Sequence, residues 1–465
     1  MLGRTIIPLI PIDGGLNTNA KPWLIGTSES QKCQNFDLGK QGKQGALVKR
    51  NGYVRDNTTQ FVTGVTTNVY KHVNGTFSYL VSHHSTSPFY YKDTTGANTT
   101  VTATLGVNTA WFMGFSGTMY IAGIDTVMKG WNGTSIANTA GSAPANAKAG
   151  LEVYSSRLWT AASNVLSGSA LWNAEDWTTA NNAWSSPVGA KGGETIKRII
   201  SQGSRLVVFK SNSIYALHGN AASNFYVQLL TEKTGITSPR SAVCVDGTVF
   251  FRGRDGYYVL PERAAEPELI SLKITDKILA QTNSTTCCGM IYKDQYWTTY
   301  TKAGVTDGVL VLYYKLGKWV EYRGLPNEAL YSHNDIPYGA ANGYVYQLDS
   351  GATDDGSSIA VRWKSPALAY GDLSKDKQFN KTYVSALTNG THTLSVDHYI
   401  DFVDKTDTRT IPLLVASTNQ LLTTDKLNWG QGNVGKVEEF EISETSSYTV
   451  EIYGVTSYAT VLEDR

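Results

Sequence analysis

Short hairpin turns recur along this chain at nearly even spacing, and this regularity restricts the fold more than any other feature. The turn centres lie near residues 75, 117, 156, 203, 247, 294 and 343, so successive turns are 39 to 49 residues apart. Several contain Asn-Gly, Asp-Gly or Ser-Gly pairs, such as Asn74-Gly75 and Asp246-Gly247. These pairs readily adopt the positive φ that two-residue hairpin turns require. The chain is therefore predicted to be built from repeated β-hairpins.

The segments that flank the turns have the composition of strands. Leu206–Phe209 and Leu310–Tyr314 are typical: short, rich in β-branched and aromatic residues, and bounded by turn-forming residues. A repeat of roughly 40–50 residues with three or four strands is typical of β-propeller blades, which cover one another's faces in a ring. We predict an all-β fold with a six- or seven-bladed β-propeller. A stack of β-sandwich domains is the alternative, and Leu272–Gln281 is the best helix candidate.

The rhythm of the strands changes after a Gly-, Asp- and Ser-rich stretch at Gly351–Ser358, which is typical of a linker. We therefore predict three parts. Residues 1–60 form an N-terminal arm with the first strands, residues 61–350 the β-propeller, and residues 351–465 a C-terminal β-sandwich-like domain.

The overall charge excludes a basic surface along the whole chain. Lys and Arg together number 40 and Asp and Glu 39, so the net charge is +1. A nucleic-acid-binding footprint would therefore have to be local. No apolar stretch reaches the roughly 18 residues needed to span a membrane, and Pro8 and Pro11 interrupt the apolar N-terminus. We expect neither a membrane span nor a signal peptide.

Motifs that would support catalysis or metal binding are missing from the sequence. There is no HExxH, no GxSxG and no CxxC, and the adjacent His83 and His84 would point to opposite faces of a strand. The acidic residues are scattered at predicted turns, where Asp commonly hydrogen-bonds its own backbone. We predict no catalytic residues, no cofactor and no metal site.

One local cluster of basic residues is a candidate contact for DNA or for assembly. It lies within 16 residues and consists of Lys40, Lys43, Lys49, Arg50 and Arg55. Such residues would contact phosphates electrostatically, without reading sequence. A solvated loop is the alternative. A second basic set lies in the middle blades and would face DNA only if it lined a channel: Arg198, Arg205, Lys210, Arg252 and Arg254.

The N-terminal region resembles the opening of β-propeller virion proteins of tailed bacteriophages. The matching motifs are Gly14-Gly15-Leu16-Asn17, Asn35-Phe36-Asp37, Gly45-Ala46 and Arg50-Asn51-Gly52. The rest of the chain is similar to the tail nozzle or hub proteins of short-tailed phages, including packaged-DNA stabilisation proteins. The segments that carry this likeness are Leu151–Thr160 with Leu171-Trp172, Lys273–Leu279, Met290–Tyr300, Val309–Trp319 and Tyr448–Val455.

This resemblance implies a structural protein of the phage tail without enzymatic activity. Such proteins form a homo-hexameric ring below the portal–adaptor complex, and they retain and conduct packaged double-stranded DNA without sequence specificity. The implied partners are other copies of the chain, the portal–adaptor protein, and a tail fibre, spike or needle. The implied location is the virion, after assembly in the host cytoplasm.

Two other functions fit an aromatic-rich propeller. One is a receptor- or glycan-binding propeller, in which exposed tryptophans stack on sugars; its candidates are Trp131, Trp172, Trp177 and Trp184. The other is a glycan hydrolase, which requires carboxylates that converge on one pocket.

Overall fold

The computed structural model of the chain is almost entirely β-structure. The structure describes residues 4–39, 44–75, 77–85, 87–92, 98–101, 110–123, 127–139, 142–189, 194–403, 405–413, 423–430 and 432–462. Its helical elements are short: three 3₁₀ turns at Pro22–Leu24, Thr179–Asn181 and Leu272–Ile274, and one α-helix at Thr275–Ala280. The last two lie within the predicted helix candidate.

Seven antiparallel four-stranded units follow one another along the chain, and we number them as blades 1 to 7. Six are separate sheets, and blade 6 is part of a larger sheet. Blade 1 contains Thr66–Asn74, Phe77–His84, Ser87–Lys92 and Asn98–Val101; blade 2, Trp111–Phe115, Thr118–Ala122, Lys129–Trp131 and Ile136–Asn138; blade 3, Leu151–Tyr154, Arg157–Ala162, Val165–Gly168 and Trp184–Pro187; blade 4, Arg198–Gln202, Arg205–Phe209, Ile214–His218 and Tyr226–Thr231; blade 5, Ser238–Val245, Thr248–Arg252, Tyr257–Pro261 and Glu268–Leu269; blade 6, Gly289–Tyr292, Gln295–Lys302, Val305–Tyr313 and Lys318–Tyr322; blade 7, Ala329–His333, Ile336–Ala341, Tyr344–Leu348 and Tyr53–Arg55.

These blades form the ring of a β-propeller. The first strands of neighbouring blades contact one another in order, and Ala329–His333 of blade 7 contacts Thr66–Asn74 of blade 1, which closes the ring. Adjacent blades share an apolar layer; Phe209 of blade 4 and Phe251 of blade 5, for example, pack with ring centroids 4.9 Å apart. Each blade thus covers a face that its neighbour could not bury alone.

The N-terminal segment completes the last blade. Tyr53–Arg55 pairs antiparallel with Tyr344–Leu348 as the outermost strand of blade 7. The ring is therefore closed by a strand that lies nearly 300 residues away in sequence from the rest of its blade. This pairing covers the edge of Tyr344–Leu348 and makes Tyr53–Arg55 the edge strand of the blade.

Blade 6 continues directly into the C-terminal part of the chain. Lys32–Gln34 pairs in parallel with Lys318–Tyr322 and antiparallel with Ile359–Lys364. The resulting nine-stranded sheet ends with Glu438–Ser446, His392–Ile400 and Asp407–Leu413. A single sheet therefore runs from the propeller into the C-terminal domain.

A second, seven-stranded sheet completes the C-terminal domain. Its strands are Arg4–Leu9, Phe36–Leu38, Leu47–Lys49, Lys377–Thr388, Thr423–Asn428, Val434–Gly435 and Val450–Val461. Residues of the two sheets, such as Trp363 and Phe440 from one and Phe379 and Ile452 from the other, belong to one buried core that extends into blade 6. The predicted fold class, a propeller with a sandwich-like C-terminal domain and an N-terminal arm, is confirmed.

Candidate functional site

The sequence-predicted basic cluster does not form one surface. Lys40 and Lys43 lie outside the described residues. The side chain of Lys49 is 2% exposed, and its Nζ lies 2.9 Å from Oε2 of Glu444 and donates to the carbonyl oxygen of Ser446. Burial lowers the pKa of Lys49, and the Glu444 carboxylate opposes that shift. Lys49 is therefore a structural residue of the sandwich, so it does not present its charge to a phosphate.

Arg50 and Arg55 differ sharply in their environments. Arg50 is buried and makes a bidentate pair with Asp354, with nitrogen–oxygen distances of 2.8 and 2.6 Å. Arg55 is about one-third exposed, pairs with Asp355 at 2.7 Å, and places its guanidinium 4.3 Å from the ring centre of Tyr344. Among the described members of the cluster, only Arg55 has a surface position from which it could reach a phosphate.

Most basic residues of the middle blades are buried and donate hydrogen bonds inside the propeller. Arg205 donates to Oε1 of Gln202 and to two backbone carbonyls, Arg252 donates to Oε1 of Gln281, and Lys210 donates to the carbonyl of Val188 at 2.7 Å. All three are buried. Fixed donors of this kind satisfy backbone carbonyls inside the blades, so these side chains do not line an open surface.

Arg198 belongs to a buried pair between blades 3 and 4, and Arg254 is exposed. The Nη2 atom of Arg198 lies 2.8 Å from Oε1 of Glu152, and its guanidinium stacks 4.5 Å from the ring centre of Trp111. Burial raises the pKa of Glu152 although Arg198 opposes that shift.

Trp111 also lines a shallow cavity of about 260 Å³ beside Arg240.

A cavity of about 350 Å³ lies at one junction of the fold, and we call it the junction cavity. It lies where blade 6, the end of blade 7 and the N-terminal segment meet. Its aromatic wall consists of Tyr292, Trp297, Tyr313 and Tyr322, and Leu38 is among its aliphatic residues. Sites of this size at domain junctions are the usual places where small molecules bind.

A carboxylate and two tyrosines form the polar part of this wall. The hydroxyl of Tyr313 donates to Oδ1 of Asp37 at 2.9 Å, and the hydroxyl of Tyr322 contacts the same oxygen. The backbone N–H of Leu38 donates to the Tyr313 hydroxyl at 3.1 Å. Burial raises the pKa of both tyrosines well above the usual value. They remain protonated donors, so this group holds the N-terminal segment against blade 6.

The rim of the junction cavity carries a second polar group. Nδ2 of Asn51 donates to Oδ1 of Asp349 at 2.9 Å, Nζ of Lys293 lies 3.1 Å from Oδ2, and the Tyr292 hydroxyl contacts that oxygen. Burial, with the help of Asp349, raises the pKa of Tyr292 to about 12. On the outer side, Lys315 pairs with Asp294 at 2.7 Å. The rim therefore offers carboxylate oxygens and ammonium hydrogens to a ligand.

The cavity is lined by aromatic, aliphatic and charged side chains. The residues that line it within the described ranges include no Ser, Cys or His, and the described part of the chain contains no group of three or more His, Cys, Asp or Glu arranged to hold a metal ion. All four cysteines are free thiols. No helix in the described ranges has the length and apolar character needed to cross a bilayer.

A buried polar network in the sandwich is enclosed rather than accessible. His398 and Glu438 have no exposed surface, with Nε2 of His398 2.9 Å from Oε2 of Glu438. Ser457 donates to the other carboxylate oxygen at 2.6 Å, and the ring of Trp429 stacks on His398 at 4.4 Å. Because apolar and aromatic side chains surround it, this network serves the packing of the two sheets.

The four tryptophans predicted for glycan stacking are placed differently from one another. Trp131 and Trp177 are buried within the blades, and Trp184 is half-buried against Trp159 with ring centroids 5.7 Å apart. Trp172 is 68% exposed. Only Trp172 presents an accessible ring, so these four residues do not form a shared stacking surface.

The sequence did not indicate that the residues of the junction cavity lie together, although one of them, Arg50, belongs to the predicted basic cluster. Asp37 and Tyr313 are 276 residues apart, and Asn51 and Asp349 are 298 residues apart. Asp37 lies in a motif that we noted only for its family resemblance. Their proximity results from the strand pairing that brings the N-terminal segment onto blades 6 and 7.

No protein-family model matches the chain, and no curated protein matches it significantly. Similar solved structures include the computationally designed Ika8 protein, with a TM-score of 0.43, 11% identity, and coverage of 64% of this chain and 99% of that one. Another is the extracellular domain of BT4673 from B. thetaiotaomicron, described as a one-component system, with a TM-score of 0.48, 10% identity, and coverage of 87% of this chain and 60% of that one. A third is a catalytically inactive virginiamycin B lyase from Staphylococcus aureus with quinupristin, with a TM-score of 0.44, 10% identity, and coverage of 64% of this chain and 97% of that one. These comparisons, at 10–11% identity and TM-scores of 0.43 to 0.48, support no conclusion about the function of this chain.

Proposed function

We propose that the protein is a structural component of a phage tail: a nozzle or hub subunit that forms a ring below the portal–adaptor complex and retains and conducts packaged DNA. The observation that carries the proposal is the continuous nine-stranded sheet that joins blade 6 to the C-terminal sandwich. Backbone hydrogen bonds across Lys32–Gln34 tie the two domains together. A subunit that bears load from pressurised DNA needs this kind of rigid link.

The N-terminal segment strengthens the same link at several places. Tyr53–Arg55 closes blade 7, Leu47–Lys49 pairs with the long strand Val450–Val461, and Lys32–Gln34 bridges the two domains. Lys32–Gln34 pairs with a strand of each domain, so relative motion of propeller and sandwich would break one of its two pairings. The arrangement is therefore that of a stiff two-domain scaffold, and the proposed role requires no catalytic step.

An exposed apolar cluster supports association between copies. Trp23 and Phe402 pack with ring centroids 5.4 Å apart, yet both remain more than 40% exposed. Leu24 and Val403 beside them in sequence are 69% and 64% exposed. Exposed clusters of this kind mark interaction sites, and a closed ring requires each copy to offer two different contact surfaces. We assign this cluster to the contact with a second copy.

Negative-stain electron microscopy of the purified full chain, alone and with its cognate portal–adaptor complex, tests the proposal. We expect hexameric rings, either free or added below the adaptor. Leu24→Asp should prevent ring formation, whereas the control Val73→Asp, at a residue that is 51% exposed and lies in blade 1, should not.

Monomers that never join the adaptor would contradict the proposed role. If such monomers bound immobilised host receptors or glycans through Trp172, the alternative of a receptor- or glycan-binding propeller would replace it. Rings that persist in Leu24→Asp would leave the role intact and would reject only the assigned contact surface.

A further inference from the structure

We infer that the junction cavity binds a neutral saccharide of one or two pyranose units. This site is independent of the proposed tail role, because a ring subunit needs no small-molecule pocket to assemble. The inference depends on three properties of the cavity: its size, its balanced charge, and the combination of aromatic walls with a polar rim.

The size of the cavity limits the ligand. Its volume of about 350 Å³ lies at the low end of the roughly 300–1,000 Å³ that is usual for small-molecule pockets. Such a space encloses a sugar ring with its substituents. It is too small to bury a folded element of a partner protein or several nucleotides of a nucleic acid.

The charge of the lining disfavours an ionic ligand. Three acidic and three basic residues line the cavity, and the basic ones already have acidic partners. Lys293 pairs with Asp349 at 3.1 Å, and Lys315 pairs with Asp294 at 2.7 Å. Arg50 is held by its bidentate pair with a buried aspartate. A phosphate or carboxylate would have to displace one of these partners, whereas a neutral ligand would not.

The lining also separates apolar from polar surface, as a sugar does. Trp297 packs edge-to-face against Tyr322 at 5.2 Å and against Tyr292 at 6.0 Å; all three side chains are buried, so a ligand meets only those parts of the rings that line the cavity. On the rim, the Asp349 carboxylate and the Lys293 ammonium offer an acceptor and a donor beside each other. A pyranose presents C–H groups on its face and hydroxyls at its edge, so it can pack on the wall while it hydrogen-bonds the rim. A purely apolar ligand would leave the rim groups without new partners.

The test is ligand-observed saturation-transfer NMR on the full chain, followed by calorimetry. The panel contains glucose, galactose, mannose, rhamnose, N-acetylglucosamine and their disaccharides. Galacturonate and inorganic phosphate serve as anionic probes, and N-acetyl-tryptophanamide serves as a neutral apolar probe. We expect at least one neutral sugar to bind with a dissociation constant of about 1 mM or tighter, and more tightly than every anionic or apolar probe.

Substitutions at the rim locate the binding. Lys293 and Lys315 are more than half exposed, so Lys293→Met with Lys315→Met should fold normally and weaken sugar binding by about tenfold or more. The matched control is Lys233→Met, which breaks an exposed Lys–Glu pair of 2.6 Å in a different part of the propeller. It should leave the affinity within about twofold.

Three results would overturn the inference. These are the absence of binding by every neutral sugar, affinity that the double rim variant leaves unchanged, and preferential binding of the anionic or apolar probes. Preference for N-acetyl-tryptophanamide would identify a protein side chain as the occupant instead. Ring formation is scored separately by microscopy, so rings without sugar binding would reject this site while leaving the tail role in place.

Discussion

Removal of Arg50 from its buried ion pair with Asp354 should destabilise the junction more than removal of a partner from an exposed pair does. The Arg50 side chain is 3% exposed and that of Asp354 10% exposed. Arg50 donates five hydrogen bonds: two to Asp354, one to Oδ1 of Asn35, and one each to the carbonyls of Asn51 and Arg323. The guanidinium thus connects the N-terminal segment, blade 6 and the segment that leads into the sandwich.

Arg50→Met removes all five bonds and leaves the Asp354 carboxylate buried without its counter-ion. Removal of one partner from a buried ion pair lowers the free energy of unfolding by about 3–5 kcal/mol. The backbone bonds that depend on this junction include Tyr53 N–H to the carbonyl of Thr353 and Asp355 N–H to the carbonyl of Tyr53. Native-state hydrogen exchange measured by mass spectrometry should show these amides exchanging faster by about two to four powers of ten.

A nearby pair provides the matched control. Arg55 and Asp355 pair at 2.7 Å, but their side chains are 37% and 33% exposed. Arg55→Met should therefore lower the free energy of unfolding by less than about 1 kcal/mol, which corresponds to at most about a fivefold increase in the rate of amide exchange. Asp354→Asn added to Arg50→Met should recover part of the loss, because it removes the uncompensated buried charge. The reasoning fails if Arg50→Met accelerates exchange no more than Arg55→Met does.

Three further predictions concern the propeller and its closure. Burial, together with the neighbouring His83, lowers the pKa of His84 from 6.5 to about 4. Between these two pH values the unfolded chain binds the proton more readily than the folded chain does. The free energy of unfolding should therefore fall by up to about 3 kcal/mol as the pH drops from 6.5 to 4. Urea titrations across this range should show a smaller fall for His84→Gln, and an equal fall would contradict the assignment. Gly52→Ala would place a methyl group 1.8 Å from the carbonyl oxygen of Thr353, whereas the methyl group of Gly432→Ala would have no atom within 4 Å. We expect Gly52→Ala to lower the free energy of unfolding by about 1–3 kcal/mol. Gly432→Ala should keep a melting temperature near that of the wild type. Trp131→Ala should lower the free energy of unfolding by about 3–5 kcal/mol, because the ring is buried between blades 1 and 2. Trp172→Ala removes an exposed ring and should change the free energy of unfolding by less than about 0.5 kcal/mol. Similar thermal shifts for both tryptophan variants would show that the assigned burial is wrong.

The blade hairpins illustrate what local chemistry predicts. Asp246 and Gly247 have φ values of 47° and 70° and join the first two strands of blade 5. Asn342 and Gly343, at 50° and 72°, join the second and third strands of blade 7. Both turns were recognisable from residue type, because few residues adopt positive φ without strain. Strand composition and turn spacing together were sufficient to predict the propeller.

The basic cluster illustrates where local chemistry misleads. Lys49 and Arg50 suggested a surface for phosphate because acidic residues are sparse near them in sequence. Their partners, Glu444 and Asp354, lie 395 and 304 residues away. The residues near Lys49 and Arg50 in sequence therefore suggested an excess of positive charge. In the folded chain, acidic residues distant in sequence neutralise that charge in the interior.

Turn type, strand propensity and repeat length are local properties, and from them the all-β class and the ring of blades follow. Long-range strand pairing follows different physics, because the register depends on which faces become buried together. It brings Tyr53–Arg55 into blade 7 and joins blade 6 to the sandwich through Lys32–Gln34. The same pairing places Asp37 beside Tyr313 and so forms the junction cavity. The repeated hairpins were thus evident in the sequence, whereas the link between the domains and the candidate site arose only in three dimensions.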